Sequence, residues 1–280
     1  MHRIWCDGLR WISGGPMQEF LNVAREAALR AGRLLRENLN GTREISYKGE
    51  INLVTEMDRR SERAAVETLL AAFPGHGIMA EEEARIENGS GFVWIIDPLD
   101  GTTNYAHGYP NFAVSIGLER SGEITLGVVY DPMRDELFSA VKGGGAYLND
   151  KPIHVSHADT LIRSLLATGF PYDRVVSKMN NLNYFNALLM ASQEVRRSGS
   201  ASLDLCSVAA GRLDGYWELK LQPWDVAAGS LIVHEAGGMV SDFSGVRFSV
   251  YDKEILASNG IIHKQIREVL KGAGGERGEG

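Results

Sequence analysis

Apolar residues recur three and four positions apart in two long segments near the start of the chain, over 17–39 and over 57–73. This spacing places them on one face of a helix, and the Pro-Gly pair after the second segment is a stop signal. The pattern therefore predicts two amphipathic helices. From residue 91 to residue 149 the chain instead consists of short β-rich runs separated by Gly, Pro, Asn and Asp. That pattern is typical of an antiparallel meander.

The later part of the chain alternates between strand-like and helical segments. The predicted strands cover 164–170, 194–200, 214–219 and 254–259, and the predicted helices cover 180–192, 201–211, 224–238 and 261–271. The fold class is therefore predicted as α/β, with an α+β half followed by an α/β half. Such an order implies two layered sheets with helices between them and outside them.

A single domain is expected over residues 17–271, with an α+β subdomain at about 17–155 and an α/β subdomain at about 156–271, because no low-complexity linker separates the halves. Residues 1–16 are too broken by charge and glycine for a signal peptide. We expect them to be a poorly ordered extension, with the natural start at the methionine that follows. The glycine-rich end, 272–280, is expected to be a disordered tail.

Composition and charge restrict the class of protein. Of the 280 residues, 44% are hydrophobic and 23% are charged, as in ordinary soluble globular proteins. The formal net charge of −7 disfavours a general affinity for nucleic acid or for anionic membrane surfaces. No apolar run reaches the roughly 18 residues of a membrane span. We therefore expect a cytoplasmic protein whose partner is neither a nucleic acid nor a membrane.

The cysteines and histidines give no sign of a thiol or zinc site. Cys6 and Cys206 lie far apart, and neither has a second Cys or His at zinc-site spacing. The seven histidines are scattered and form no metal-binding pair at helical spacing. We expect both cysteines to be reduced, with Cys206 as a small core residue.

The segment FVWIIDPLDGTTN carries the strongest chemical signal. Residues 92–96 are typical of a buried strand, and Pro98 is expected to end the sheet ladder in a turn. Asp97 and Asp100 then lie beside a short helix start, whose backbone N–H groups suit an anion. Carboxylates would repel a phosphate there unless divalent cations lay between them. Mg²⁺ prefers such carboxylates, with the carbonyl of Leu99 as a further ligand.

Structural roles are the alternative for each of these acids. Asp97 could cap the turn, and Asp100 could cap a helix. Asp58 and Asp225 stand at helix starts, where aspartate is a common cap, and Glu81–Glu83 could be a solvated surface run. A metal site is favoured because the aspartate pair ends a wholly apolar strand and because other acids are available to complete it.

Four stretches together resemble the inositol monophosphatase family of lithium-sensitive, magnesium-dependent phosphatases. They are KGEINLVTEMD (48–58), AEEE (80–83), WIIDPLDGTTNY (94–105) and PWDVAAGSLIVHEAGG (223–238). The resemblance extends from about residue 17 to about residue 270. It implies the layered αβαβα sandwich of the sugar-phosphatase type, a phosphoric monoester hydrolase and a homodimer.

The resemblance implies a binding site for two to three Mg²⁺ ions. Glu81, Asp97 and the Leu99 carbonyl would hold the first ion, and Asp97, Asp100 and Asp225 would hold the second. A third ion would lie near Glu81, held largely through waters. Mn²⁺ would substitute for Mg²⁺.

The resemblance also implies roles in catalysis and in substrate binding. Thr102, paired with Asp58, would orient the attacking water, and Glu81 would assist as the base. Lys48 would lie on a mobile loop that closes near the metals. The implied substrate contacts are Asp100, the backbone N–H groups of Gly101 and Thr102, the pocket residues Gly199, Ser200 and Ala201, the sugar-binding Glu218, and Arg197.

Inositol 1-phosphate is the expected substrate. Fructose 1,6-bisphosphate, alone or as a second substrate, is the main alternative, and histidinol phosphate and 3′-phosphoadenosine phosphates are less favoured. Arg196 and Arg197 precede the pocket glycine, and one of them could meet the second phosphate of a bisphosphate. The alternative for either arginine is a surface position paired with Glu194 or with solvent.

Two other functional classes are alternatives to an enzyme of this kind. A bacterial member of the family also binds the transcription machinery, so the chain could be a scaffold. The complete set of implied metal ligands favours the enzyme. A metal-dependent nuclease would use a basic groove with aromatic side chains for stacking, and the sequence has no such cluster.

Overall fold

The computed structural model of the protein describes residues 15–39, 45–47 and 53–274. The expectations about residues 1–14, about Lys48 and about residues 275–280 therefore lie outside the described residues.

The two helices predicted from the apolar spacing are present. Helix α1 (Pro16–Asn38) has its proline in the first turn, where the missing N–H is no loss. An antiparallel pair that the pattern did not predict, β1 (Ile45–Tyr47) and β2 (Leu53–Thr55), precedes helix α2 (Glu56–Ala72). Helices α1 and α2 pack against each other, because the buried face of α1 consists largely of small alanines that allow close approach.

The first sheet is the predicted meander, extended at both edges. Its elements are β3 (Gly77–Ala80), β4 (Arg85–Ile86), β5 (Phe92–Asp100), β6 (Ala113–Arg120), β7 (Glu123–Asp131), β8 (Glu136–Val141), β9 (Ala146–Leu148) and β10 (Lys151–Pro152), with the short helix α3 (Thr102–Ala106) after β5. Neighbouring strands run in the order β10-β9-β8-β7-β6-β5-β3-β4. All pairs are antiparallel except β3 with β5, which is parallel.

The second sheet has the order β12-β11-β13-β15-β14. Its elements are a 3-10 turn (Leu161–Arg163), β11 (Leu165–Thr168), α4 (Leu182–Ala191), β12 (Glu194–Arg196), α5 (Ala201–Ala209), β13 (Gly215–Leu219), α6 (Pro223–Glu235), β14 (Met239–Ser241), β15 (Glu254–Ser258) and α7 (His263–Gly274). Strand β11 is parallel to β12 and β13, and β15 is antiparallel to β13 and β14. The pattern had not predicted β4, β10 or β14, which are too short to show a period of two.

The layers follow the predicted α/β class, which is confirmed. Helices α1 and α2 cover the outer face of the first sheet, α5 and α6 lie between the sheets, and α4 and α7 cover the outer face of the second. Successive side chains of β5 point to opposite faces of the sheet. Val93 and Ile95 face the middle layer, whereas Trp94 and Ile96 face the outer helices. Cys206 is fully buried in the middle layer, as expected.

Strand β5 does not end where the sequence pattern predicted. The prediction that Pro98 ends the ladder is wrong, because pairing with β6 resumes at Asp100, opposite Ala113. The register shifts between Asp97 and Asp100, so Pro98 and Leu99 lie in an irregularity of the ladder. A bulge tolerates proline, since the missing N–H has no ladder partner to lose. Both aspartates thus belong to one buried strand.

Helix α6 lies unusually close to the first sheet. Gly117 of β6 and Gly127 of β7 are directly paired across the two strands beneath it. A Cβ atom built on Gly127 would lie 2.7 Å from the Ala228 backbone oxygen, and one built on Gly117 would lie 2.9 Å from the Ala227 Cβ. The two glycines therefore fix the depth of α6, whose first turn carries Asp225.

We predict that Gly127→Ala lowers the free energy of unfolding by about 1–3 kcal/mol, because the new methyl group would overpack against rigid backbone. The matched control is Gly89→Ala, because a Cβ atom there meets nothing within 4 Å and should change stability by less than about 0.5 kcal/mol. Urea unfolding of both variants measures the difference. Equal stabilities would contradict the proposed close contact between α6 and the sheet.

Candidate active site

A cleft of about 100 Å³ lies beside the end of β5, where the first turns of α5 and α6 meet it. Its walls come from parts of the chain that are far apart in sequence. The predicted site residues that line it are Asp100, Gly101, Arg197, Gly199, Ser200, Ala201, Glu218 and Asp225. The fold thus brings most of the predicted substrate contacts to one place.

Asp97 is buried beside three other acids. It is 1% exposed. Burial raises its pKa well above the ordinary value, and the charges of Glu81, Asp100 and Asp225 raise it further. A single backbone group opposes this rise, since the Leu99 N–H donates to Asp97 Oδ1 at 3.0 Å. A cation placed among these groups would relieve the repulsion.

Asp100 joins strand β5 to the start of helix α5. Its Oδ2 accepts hydrogen bonds from Ser200 Oγ at 2.6 Å, Ser202 N at 2.7 Å and Ser202 Oγ at 2.5 Å. Its Oδ1 accepts from Ala201 N at 3.3 Å. Burial raises the pKa of Asp100, and the bonds from Ser200 and Ser202 oppose that rise. These donors hold the carboxylate at the N-terminal end of α5, where a negative charge is favourable.

Asp225 is the third residue of helix α6. Its Oδ2 accepts from the Gln222 N–H at 2.7 Å, which forms half of a capping box. Burial raises the pKa of Asp225 to about 8, and the charge of Asp100 adds to the rise. A hydrogen bond with the Asp97 side chain opposes it. Asp225 therefore stands in contact with the acids of β5.

Thr102 and Asp58 lie together beneath the cleft. Thr102 Oγ1 donates to Asp58 Oδ1 at 2.9 Å and lies 3.1 Å from the Leu99 carbonyl oxygen. Asp58 is completely buried in the first turn of α2, and Thr102 opens α3. Gly101, which joins β5 to α3, has a φ of 102°. This is a left-handed conformation that glycine adopts without strain. The expected short helix after the acidic pair is therefore present.

Glu218 lies on the far wall of the cleft, at the end of β13. Burial raises its pKa to about 8, although a hydrogen bond donated by the Tyr216 hydroxyl and the positive charge of Arg197 both lower it. Arg197 is exposed and lines the same cleft. The wall thus presents a protonatable carboxyl group and a positive charge to one small volume.

The donor set fits a hard divalent cation. Glu81, Asp97, Asp100, Asp225 and the Leu99 carbonyl supply only oxygen, the ligand that Mg²⁺ prefers. In the described residues, no group of three or more His, Cys, Asp or Glu side chains is already arranged around one point to hold a metal ion. Instead, the three aspartates accept hydrogen bonds from protein donors.

Two of the structural capping roles expected as alternatives from the sequence are present in the structure. Asp97 accepts from the Leu99 N–H within its turn, and Asp225 caps α6. Asp100 does not cap the helix that follows it, because its partners belong to α5. Caps are ordinarily exposed, however, and a capping role alone does not explain why these acids are buried within reach of one another's charge.

The acidic run at 81–83 divides between inside and outside. Glu81 acts electrostatically on Asp97, whereas Glu83 is exposed and forms an ion pair with Arg59 at 3.0 Å. The expectation that at least one of these acids points inward is thus met by Glu81.

Several side chains around the cleft were not predicted. Ser202 binds Asp100, and Asp204, whose pKa burial raises to about 8, lines the cleft and accepts from Ser198 Oγ at 2.6 Å. Tyr172 also lines the cleft. Its side chain is largely exposed, but partial desolvation and the charges of the four acids nearby raise its pKa. A serine three positions after the pocket glycine carries no sequence signal for such a contact. An acid inside a predicted helix is likewise indistinguishable from a surface residue.

A larger cavity, of about 930 Å³, lies elsewhere, between the β7 end of the first sheet and the β14 end of the second. Its lining includes one carboxylate among the described residues, Glu123, which is paired with Lys142 and with Arg247 at 3.1 Å. Volume alone therefore does not identify the chemical site. The smaller cleft has the convergent acids and the shifted pKa values that functional sites often show.

Among the described residues, none of the helices combines the length and the apolar character needed to span a membrane.

The chain matches a family model described as the inositol monophosphatase family over residues 16–273. It is 47% identical over 261 residues to an inositol-1-monophosphatase of Synechocystis sp., covering 92% of this chain and 91% of that protein. It is 46% identical over 250 residues to a protein named Nus factor SuhB of Pseudomonas aeruginosa, covering 87% of this chain and 92% of that protein.

The fold is similar to that of a solved inositol monophosphatase from Anabaena (Nostoc) sp. The TM-score is 0.85 and the sequence identity is 46%, and the match covers 92% of this chain and 97% of that one. The agreement extends over both sheets and the helical layers, which supports the layered sandwich expected from the sequence.

Proposed function

This chain belongs to the inositol monophosphatase family, and we propose that it is a Mg²⁺-dependent phosphomonoesterase that hydrolyses inositol 1-phosphate. It is a phosphoric monoester hydrolase by family membership. The single observation that carries the proposal is the burial of Asp97 within reach of the charges of Glu81, Asp100 and Asp225. Buried like charges of this kind require a counter-charge.

The proposed metal ligands are those that the resemblance implies. Glu81, Asp97 and the Leu99 carbonyl would hold one Mg²⁺, and Asp97, Asp100 and Asp225 would hold a second. A third ion would lie near Glu81, and Mn²⁺ would substitute for Mg²⁺. When bound, the ions supply Lewis-acid stabilisation of phosphate oxygens and lower the pKa of water. The support for this assignment is the all-oxygen donor set and its mutual electrostatic effect.

Orientation of the attacking water is assigned to Thr102. Because its hydroxyl donates to the buried Asp58 at 2.9 Å, the oxygen's lone pairs remain available to accept a hydrogen bond from water. Glu81 accepts the proton that the water loses. Asp58 acts only through Thr102, by fixing the direction of that hydroxyl.

Substrate binding is assigned to the two walls of the cleft. The backbone N–H groups of Gly101 and Thr102 face the phosphate, as at other helix starts. Glu218 binds ring hydroxyls of the inositol, supported by its position on the opposite wall. Gly199, Ser200 and Ala201 shape the pocket floor between them. The role proposed for Lys48 near the metals concerns a residue outside the described ranges.

The remaining proposals follow from the family. We propose a cytoplasmic homodimer that is inhibited by lithium and that has a small sugar or inositol phosphate as its partner. Relatives named Nus factor SuhB make a role beside transcription an alternative for this chain. The net charge of −7 favours a protein partner over direct contact with RNA in that case.

Fructose 1,6-bisphosphate is a second candidate substrate because of Arg197. This exposed side chain lines the cleft, and its charge acts on Glu218 and Asp204. Its neighbour Arg196 instead lies 3.7 Å from Glu194, in the surface pairing given above as the alternative. A guanidinium on the cleft wall suits a second phosphate group.

We predict that the protein releases phosphate from inositol 1-phosphate in the presence of Mg²⁺. Phosphate release is measured with inositol 1-phosphate, fructose 1,6-bisphosphate, histidinol phosphate and a phosphoadenosine bisphosphate. Asp97→Asn should abolish activity on every substrate, because it removes the charge of the carboxylate that would contribute to both proposed Mg²⁺ sites. Activity that survives chelation of divalent ions, or that is highest on the phosphoadenosine compound, would contradict the proposal. Absence of activity with an intact cellular phenotype in Asp97→Asn would favour the scaffold.

For the second substrate, we predict that Arg197→Ala loses turnover of fructose 1,6-bisphosphate by about 10-fold or more, since one charge-assisted bond to a phosphate is worth more than 1.4 kcal/mol. Turnover of inositol 1-phosphate should stay unchanged. The matched control is Arg196→Ala, which removes the same charge one residue away and should change neither rate. Equal losses on both substrates, or no loss, would show that Arg197 does not select the bisphosphate.

A further inference from the structure

Glu62 is an acid that the proposed mechanism does not use, and it is almost completely buried. It lies on α2 and is 4% exposed. Its Oε2 accepts from Glu82 N at 2.8 Å, and its Oε1 accepts from Glu83 N at 2.9 Å and from Ala84 N at 2.8 Å. Three consecutive backbone N–H groups therefore surround one carboxylate. These backbone donors compensate the charge of Glu62.

The segment that Glu62 binds begins immediately after Glu81. The Glu81 N–H donates to the Ile96 carbonyl at 3.2 Å, which ties it to strand β5. The Ala80 N–H donates to the Ala84 carbonyl at 3.0 Å, which closes the loop on itself. Glu81 thus lies between a strand on one side and the loop held by Glu62 on the other. Its direction depends on both anchors.

Helix α2 contacts this loop and two other parts of the site. Asp58 and Glu62 are four residues apart and lie on one face of the helix. Between them, Ser61 Oγ donates to the Pro98 carbonyl at 2.6 Å, in the irregularity of β5 that separates Asp97 from Asp100. One helical turn thereby contacts the water-orienting Thr102, the segment between the two aspartates and the loop after Glu81.

We propose that Glu62 is a positioning residue that fixes the Glu81 carboxylate toward Asp97 and thereby sets the affinity of the protein for Mg²⁺. This inference rests on the proposed function, because Glu81 is a ligand only if a metal binds there. The N–H groups of residues 82–84 donate to the two carboxylate oxygens of Glu62. Replacing one of these oxygens with an NH₂ group removes both the charge and one of the two acceptors. The loop then opens, and Glu81 no longer has a fixed direction.

The test is Glu62→Gln, which keeps the size of the side chain but replaces one acceptor oxygen with an NH₂ donor. The matched control is Glu67→Gln on the same helix, where the glutamate is 55% exposed and pairs with Arg30. Amide hydrogen exchange is measured in the chelated protein, and Mg²⁺ binding is measured by calorimetry without substrate. We expect faster exchange at residues 82–84 and about 10- to 100-fold weaker Mg²⁺ binding in Glu62→Gln alone.

A second variant separates positioning from folding. Glu62→Asp keeps the charge but is one methylene shorter, so it should bind Mg²⁺ with an affinity between those of the wild type and Glu62→Gln. Saturating Mg²⁺ should restore most of the turnover in either variant, because the reacting groups themselves are unchanged. Should Glu62→Gln fail to fold, an Mg²⁺ affinity of Glu62→Asp equal to that of the wild type would overturn the inference.

The failure of this inference is distinguishable from that of the proposed function. A wild-type protein that binds no Mg²⁺ overturns the proposed function and the role of Glu62 with it. A wild-type protein that binds Mg²⁺ no more tightly than folded Glu62→Gln overturns the role of Glu62 alone. Faster exchange at residues 82–84 with unchanged Mg²⁺ affinity would make Glu62 a loop anchor without influence on the metal, which also overturns the inference.

Discussion

A buried aspartate surrounded by the charges of three other carboxylates, one buried and two half-buried, is the constraint on which the rest of this site depends. Glu81, Asp97, Asp100 and Asp225 come from three distant parts of the chain, and their charges raise the pKa of Asp97 beyond the effect of burial itself. Such an arrangement costs stability in the absence of a counter-charge. The fold stabilises it locally through donated hydrogen bonds, including three from the first turn of α5 to Asp100. A divalent cation would supply the remaining counter-charge.

The scaffold places the acids by close packing of regular elements. The irregularity around Pro98 allows Asp97 and Asp100 to belong to one strand that the core buries on both faces. The glycine pair beneath α6 brings that helix against the sheet, and with it Asp225. Helix α2 contacts the opposite side, through Ser61 and Glu62. Flexible loops are therefore not required to assemble this part of the site.

Much of this could be predicted from the sequence, because the relevant signals are local. The apolar run ending in Asp97 and Asp100, and the aspartate at the start of a predicted helix, identified residues that the structure brings together. Asp100 and Asp225 line one cleft, and the buried Asp97 lies within reach of their charges. Helix periods of 3.6 residues gave α1 and α2 to within one residue at their starts and ends. The layered α/β class followed from the order of the elements.

The parts that could not be predicted depend on long-range contacts. Glu62 lies inside an amphipathic helix, where a glutamate is ordinarily exposed, and only the folded loop at residues 82–84 explains its burial. The role of Ser202 likewise depends on its hydrogen bond to Asp100, which lies 102 positions earlier in the sequence. Pro98 was expected to end β5 because proline is generally excluded from the interior of a sheet. The irregularity in the pairing of β5 with β6, which accommodates this proline, is not visible in the sequence. Strands of only two or three residues, such as β4 and β14, are too short to show a recognisable pattern of apolar and polar residues.

The unfolding free energy of the chelated protein at pH 5 and at pH 9 tests the central claim most directly. Burial and Asp100 raise the pKa of Asp225 to about 8, whereas an unfolded aspartate titrates near about 3.9. The folded state therefore binds the proton more tightly, and stability should fall as the pH rises between these values. The account predicts a clear loss at pH 9, largely reversed by Mg²⁺ but not by sodium at equal ionic strength, and a smaller loss in Asp225→Asn. Equal pH dependence in both proteins, with no response to Mg²⁺, would contradict it.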